Sequence, residues 1–228
     1  MDLKKIMKCA IFDLDGTLLN SMWMWRTLGE ELIRLHGKTP APDVWYDLKI
    51  RNSTETAQYF IDNYGFTGTQ EEIIQEIDDA ALRHYSSDLY LKEGALELLQ
   101  RLNELKIPVI LATATDKRLV KACLDRLNIR QYFFRLNSCE DFNTSKSKPL
   151  IFQKSAEMAG VPIENAVVFE DALFAIRTVH NAGFPVVAVY DTACEDCSEP
   201  PETDWNRILP LADMTCRNFR EILSLLAD

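Results

Sequence analysis

Four stretches of the chain are apolar without interruption and rich in β-branched residues: KCAIFD at 8–13, PVILAT at 108–113, AVVFE at 166–170 and PVVAVY at 185–190. Continuous rather than alternating apolarity is the pattern of parallel strands covered on both faces. YFFRL at 132–136 predicts a fifth, shorter strand. Elsewhere apolar residues recur at helical spacing, in ALELLQRLNEL (95–105), KRLVKACLDRL (117–127), PLIFQKSAEMA (149–159), ALFAIRTVHNA (172–182) and the closing CRNFREILSLLA (216–227). Strand and helix alternate, which predicts an α/β fold with a three-layer, Rossmann-like core on a parallel sheet.

Residues 22–87 break the alternation. They hold no strand pattern but three helical ones, WMWRTLGEELIRLHG, TETAQYFIDNYG and QEEIIQEIDDAALRHY, with TPAPD as a break after the first. A crossover between parallel strands needs only about a dozen residues. The segment is therefore expected to be an all-helical domain inserted after the first strand, spanning 18–90, with the core formed by 1–17 and 91–228.

Composition narrows the class without changing this picture. The chain has 228 residues, enough for a full core, with 47% apolar and 26% charged residues, as in a globular enzyme. A formal charge of −10 with no basic tract disfavours nucleic acid and acidic membrane surfaces as partners. The apolar run at the start is broken by Asp13 and Asp15, and no stretch approaches eighteen apolar residues, so a cytoplasmic protein, monomeric or weakly dimeric, is expected. The six cysteines form no disulfide framework. Cys194 and Cys197 make a single CxxC among Glu195, Asp196 and Glu199, whose charges are expected to raise the thiol pKa and disfavour a zinc or redox role. His36, His84 and His180 lie on helix patterns at spacings that form no metal cluster.

Chemistry concentrates where an open parallel sheet binds ligands, at the carboxyl ends of its strands. The first strand ends in Asp13 and Asp15, the second in Thr113 and Thr115, and AVVFE in Glu170 and Asp171, while SKSKP at 145–149 precedes that last strand. Carboxylates brought together without a cation repel, so the cluster predicts a hard divalent ion, Mg²⁺, held by oxygens. A lysine and a threonine hydroxyl beside it suit phosphate oxygens.

These segments resemble, in order and over almost the whole chain, the haloacid dehalogenase superfamily, in particular its phosphatase-like members with an inserted helical cap. DLDGTLLNS is similar to the superfamily's DxDGTLxDS, ILATAT to its second motif, SKSKPLIF to its lysine motif and VVFEDALFAI to its acidic fourth motif. The resemblance implies Asp13 as nucleophile and Asp15 as acid/base. It implies Thr113, Ala114 and Lys146 as phosphate-binding residues, and Asp13, Glu170, Asp171 and the Asp15 carbonyl as Mg²⁺ ligands. Three positions depart from the pattern: Asn20 stands where an aspartate is usual, KSKPLIF leaves Lys148 as an alternative to Lys146, and Trp25 stands near the place where β-phosphoglucomutase-type enzymes carry a histidine.

The implied activity is hydrolysis of a small phosphorylated metabolite by a Mg²⁺-dependent phosphomonoesterase, through an aspartyl phosphate. The alternatives are a sugar-phosphate mutase using the same core residues and a non-enzymatic phosphate-binding protein. The inserted domain is expected to contact the leaving group through Trp23, Trp25, Arg26 and Arg51, with Met22 and Lys49 as further candidates. Trp23 and Trp25 cannot both face one side of a helix.

Overall fold

The computed structural model describes residues 1–42, 44–48, 51–196 and 202–227. Among the described residues eight strands form: β1 Cys9–Phe12, β2 Leu19–Asn20, β3 Tyr90–Leu91, β4 Val109–Thr113, β5 Arg135–Ser138, β6 Ala166–Glu170, β7 Val186–Val189 and β8 Met214–Cys216. Six make one all-parallel sheet in the order β5-β4-β1-β6-β7-β8, and β2 pairs with β3 antiparallel. Ile11 stands level with Ile110 on one side and Val168 on the other. The three strands whose ends carry the candidate chemistry are therefore neighbours at the centre of the sheet.

Both faces of the sheet are buried, as continuous apolarity requires. Successive side chains alternate between faces. Cys9, Ile11, Ile110 and Val168 pack on one face with Phe152 and Ile176, from the helices Leu150–Ala159 and Leu173–Asn181. On the other, Phe12 stacks on Phe169 with ring centroids 4.3 Å apart, and Phe219 of the closing helix Phe219–Leu225 meets Phe12 edge-on at 6.0 Å.

The chain divides into two compact units, Met1–Asn20 with Tyr90–Asp228, and Ser21–Leu89. The second is helical, with helices Met22–Leu35, Val44–Leu48, Ser53–Tyr64 and Gln70–Ser87. Asn52 and Thr69 start two of these with reciprocal capping boxes through Glu55 and Glu72, which satisfy helix-end N–H groups. His84 bridges Asp88, at 3.0 Å, and Glu31 of the first helix, at 2.9 Å, and these carboxylates hold its pKa above the ordinary value against its partial burial. His36 stacks on Phe66 at 3.8 Å and meets Glu76 at 2.8 Å. Among the described residues no helix is long and apolar enough to cross a membrane.

Several local expectations are corrected. The fifth strand starts at Arg135, not Tyr132: residues Arg130–Tyr132 form a 3₁₀ turn, and the strand runs on through Asn137 and Ser138. Asn137 is buried because its amide donates to Ser155 Oγ at 2.9 Å, a tertiary pairing that a polar residue does not announce. The strands β2, β3 and β8 and the short helices Leu3–Ile6, Val44–Leu48 and Asp204–Ile208 have no counterpart in the apolar pattern.

Gly94 is placed where no other residue fits without cost. Its φ is +79°, and a Cβ there would lie 2.6 Å from the backbone nitrogen of Arg220 and 2.9 Å from the carbonyl carbon of Phe219. Gly94→Ala is expected to cost about 2–4 kcal/mol from left-handed strain and overpacking together. In thermal unfolding that lowers Tm by roughly 2–4 °C per kcal/mol for a chain of this size; an unchanged Tm would contradict the close approach.

Candidate active site

Asp13 and Asp15 follow β1 directly, and the backbone turns back through Gly16, whose φ is +79°. The turn is closed by Leu19 N–H donating to Leu14 O at 2.8 Å and Gly16 N–H to Leu19 O at 3.1 Å. Asp13 is buried, Asp15 half-buried. Threonine hydroxyls position their surroundings: Thr115 Oγ1 donates to Asp15 Oδ2, and Thr17 Oγ1 donates to Asp171 Oδ1 at 3.0 Å.

Lys146 lies in the loop before the helix Leu150–Ala159, and its side chain is buried. Its ammonium donates to Asp13 Oδ1 and, at 2.6 Å, to Glu170 Oε1. Glu170 Oε2 accepts the backbone N–H groups of Asp171 and Ala172 at 2.9 and 3.0 Å. Glu170 thus ties the lysine to the turn after β6. Lys148, the alternative lysine, is exposed. Thr113, at the end of β4, is buried and its Oγ1 accepts Thr115 N–H at 3.0 Å, whereas Ala114 is exposed.

One carboxylate oxygen each from Asp13, Glu170 and Asp171 lies within 4.8 Å of the others, all three residues buried. Burial pushes the Asp13 carboxyl up to about 7, with Lys146 pulling the other way and Glu170 and Asp15 adding to the rise. Asp171 is raised well above the carboxylate range, by burial first and then by Glu170 and Asp13. The Lys146 ammonium is held above the usual lysine range by the two acids despite its burial. Three carboxyl groups beside one ammonium, which bonds two of them, would carry excess negative charge when ionised in so desolvated a place, a donor set that fits a hard divalent cation such as Mg²⁺.

The chain belongs to the haloacid dehalogenase-like hydrolase family. Residues 7–183, well over half of the chain, match that family. The chain is 27% identical over 197 residues to validoxylamine A 7'-phosphate phosphatase of Streptomyces hygroscopicus subsp. limoneus, covering 86% of this chain and 91% of that protein. It is 24% identical over 177 residues to the phosphorylated carbohydrates phosphatase of Thermotoga maritima, covering 78% and 82% of the two chains. The fold matches the crystal structure of CbbY from Rhodobacter sphaeroides in complex with phosphate, with TM-score 0.73 and 20% identity, over 96% of this chain and 99% of that one.

The other candidates are dispersed. In the helical unit Trp23 is exposed and meets His84 edge-on at 5.6 Å, Trp25 is half-buried with its ring 6.3 Å from Tyr85, Arg26 is half-buried, and Arg51 lies over the Tyr59 ring at 4.6 Å. Lys49, Cys197 and Glu199 lie outside the described residues. The Cys194 thiol is pushed up to about 12, but burial is the main cause and Asp171 the next, not the neighbouring Glu195 and Asp196. Its Sγ donates to the Asp171 carbonyl at 3.3 Å. The apolar pattern also left out the pair of half-buried Lys92 and buried Asp191, 2.9 Å apart, whose charges both bear on Asp171. Neither carries a motif; a lone lysine and aspartate far apart in the chain give no signal before folding.

Asp13 and Asp171 bind protons more tightly folded than unfolded, so without metal they make stability fall as pH rises from about 4 through about 7. The chelated protein is expected to show that decline in Tm, and Mg²⁺ to reverse it. Asp171→Asn should raise the metal-free Tm at pH 7.5 by a few degrees and abolish the Mg²⁺-induced rise. A metal-free Tm lowered by this substitution would mean that the carboxylate is not under strain from its neighbours.

Proposed function

We propose that the protein is a Mg²⁺-dependent phosphomonoesterase acting on a small phosphorylated metabolite through an aspartyl phosphate on Asp13. The observation that carries this reading is the buried ammonium of Lys146 set between Asp13 and Glu170, with Asp15 two residues from Asp13. The phosphatase names of the two curated relatives support it.

An anionic phosphomonoester repels an anionic attacker, so the positive charge of Lys146 on the phosphoryl oxygens is what lets Asp13 approach. Mg²⁺ held by Asp13, Glu170, Asp171 and the Asp15 carbonyl would supply further charge neutralisation and keep the Asp13 carboxyl ionised at neutral pH. The Asp13 oxygen attacks phosphorus while the bond to the alcohol oxygen breaks, and Asp15 gives that oxygen its proton. Asp15 then takes a proton from the water that attacks the aspartyl phosphate, releasing inorganic phosphate and restoring Asp13. The Thr115 hydroxyl on Asp15 would hold it in position for both transfers. Thr113 and the Ala114 backbone would bind phosphoryl oxygens. The inserted helical unit would act as the cap, and Trp23, Trp25, Arg26 and Arg51 are its candidate contacts to the leaving group.

Phosphate release from a panel of sugar phosphates and small phospho-acids, supported by Mg²⁺ and abolished by chelator, tests the activity; a requirement for a bisphosphate activator would indicate a mutase instead. Lys146→Ala should lower kcat on the order of a thousandfold and Lys148→Ala far less. The reverse ranking on folded proteins would move the role to Lys148. Asp15→Asn mixed with acetyl phosphate, whose leaving group needs no proton, should gain the mass of one phosphoryl group mapping to Asp13, while Asp13→Asn gains none. Phosphoryl transfer to Asp15 in the wild type would exchange the two roles.

A further inference from the structure

Lys92 and Asp191 take no part in the chemical steps assigned above, yet both side chains are almost wholly withdrawn from water. Only 10% and 4% of their surfaces stay exposed, with Lys92 Nζ 2.9 Å from Asp191 Oδ2. A buried ion pair contributes little net stability, because desolvating two ions offsets most of their attraction. Stability alone therefore does not account for the pair.

Each member is bonded to a segment that also holds Asp171. Lys92 follows β3, where the chain returns from the helical unit. Its backbone N–H donates to Leu18 O at 2.8 Å, beside Thr17, whose hydroxyl donates to Asp171 Oδ1 at 3.0 Å. The Lys92 ammonium also donates to Tyr190 O at 2.7 Å. Asp191 Oδ1 accepts the Ala193 N–H at 2.9 Å and so caps the 3₁₀ turn Thr192–Glu195. Cys194, in that turn, donates from Sγ to the Asp171 carbonyl at 3.3 Å. The pair thus joins the turn after β1 to the loop after β7, and these two segments bond Asp171 at its side chain and at its backbone.

Taken together the two charges cancel, but each is buried and solvent screens it little. Lys92 favours the ionised form of Asp171 and Asp191 opposes it, and the Cys194 thiol feels the same two charges. A divalent cation is repelled by Lys92 and attracted by Asp191. We infer that Lys92 and Asp191 are positioning residues for Asp171, whose opposed charges set how tightly the acid cluster holds its divalent cation. The inference rests on the reading of Asp171 as a Mg²⁺ ligand. A lysine alone at this place would weaken the cation; an aspartate alone would add a fourth carboxylate to the cluster and tighten it, since the number of charged groups tunes the affinity of such sites. Paired, they brace the two segments and leave the net charge unchanged.

Mn²⁺, which takes the same kind of oxygen donors as Mg²⁺, is titrated into the full chain at pH 8 without substrate, and the free ion is counted by electron paramagnetic resonance. Asp191→Asn keeps an oxygen for the Ala193 N–H but leaves Lys92 unpaired, and should weaken Mn²⁺ binding by about tenfold or more. Lys92→Met leaves the carboxylate unpaired and should tighten binding severalfold. The double variant, Lys92→Met with Asp191→Asn, loses the most bracing contacts but neither adds nor removes net charge, and should bind within about threefold of the wild type. A purely structural pair predicts the opposite order, with every variant weakened and the double variant weakened most; that order, or equal binding by all four proteins, overturns the role of the pair. Mn²⁺ binding by the wild type that Asp171→Asn abolishes keeps the metal reading even when the pair fails in this way. No Mn²⁺ binding by the wild type overturns both.

Discussion

Asp13 and Glu170 share one buried ammonium, with a third buried carboxyl, Asp171, beside them, and the rest of the core unit is arranged around that imbalance. Asp13, Glu170 and Asp171 come from the ends of β1 and β6, adjacent strands of one parallel sheet, and Lys146 reaches between two of them. Parallel pairing brings the carboxyl ends of neighbouring strands to one edge, so acids distant in the chain are concentrated there. Without added positive charge the arrangement holds Asp13 and Asp171 far above the ordinary carboxylate range, which opposes folding. The apolar packing of Phe12, Phe169 and Phe219 behind the site supplies stabilisation that offsets it.

The site contains both fixed and adjustable charge. Glu170 is engaged at both oxygens, by Lys146 and by two backbone N–H groups, so it orients the lysine and the following turn. Asp171 has the Thr17 hydroxyl on one oxygen, and the Lys92–Asp191 pair bears on its charge. Asp15 is less buried than Asp13. A buried, crowded carboxylate thus stands two residues from a more accessible one, the division that the proposed nucleophile and proton carrier would use.

The two units follow different physical rules. In the core, strand pairing sets positions, and the chemistry sits on strand ends that cannot move independently. In the helical unit, local signals define the elements: capping boxes at Asn52 and Thr69, and ion pairs and stacking at His84 and His36. Helices packed through side chains leave gaps between them more readily than a hydrogen-bonded sheet does, and the cavity lined by Trp25, Leu32, Leu48 and Phe60 is such a gap.

Much of this protein was legible in its sequence. Continuous apolar runs predicted the central strands, because a strand buried on both faces leaves no place for a polar residue, and spaced acids at their ends predicted a cation-seeking edge. The acid pair and its glycine could be recognised because chain-local chemistry dictates them. Other features were decided only by tertiary structure. β5 runs through Asn137 and Ser138, which are buried because Ser155 satisfies the asparagine, and no local pattern encodes that partner. Burial separates Lys146 from Lys148, two residues apart with the same side chain. The charges of Lys92 and Asp191 bear on Asp171 from segments that share no motif. Periodicity and spacing report what a residue needs from its own neighbourhood; desolvation and pairing depend on which distant segments arrive beside it, and those exist only once the chain has folded.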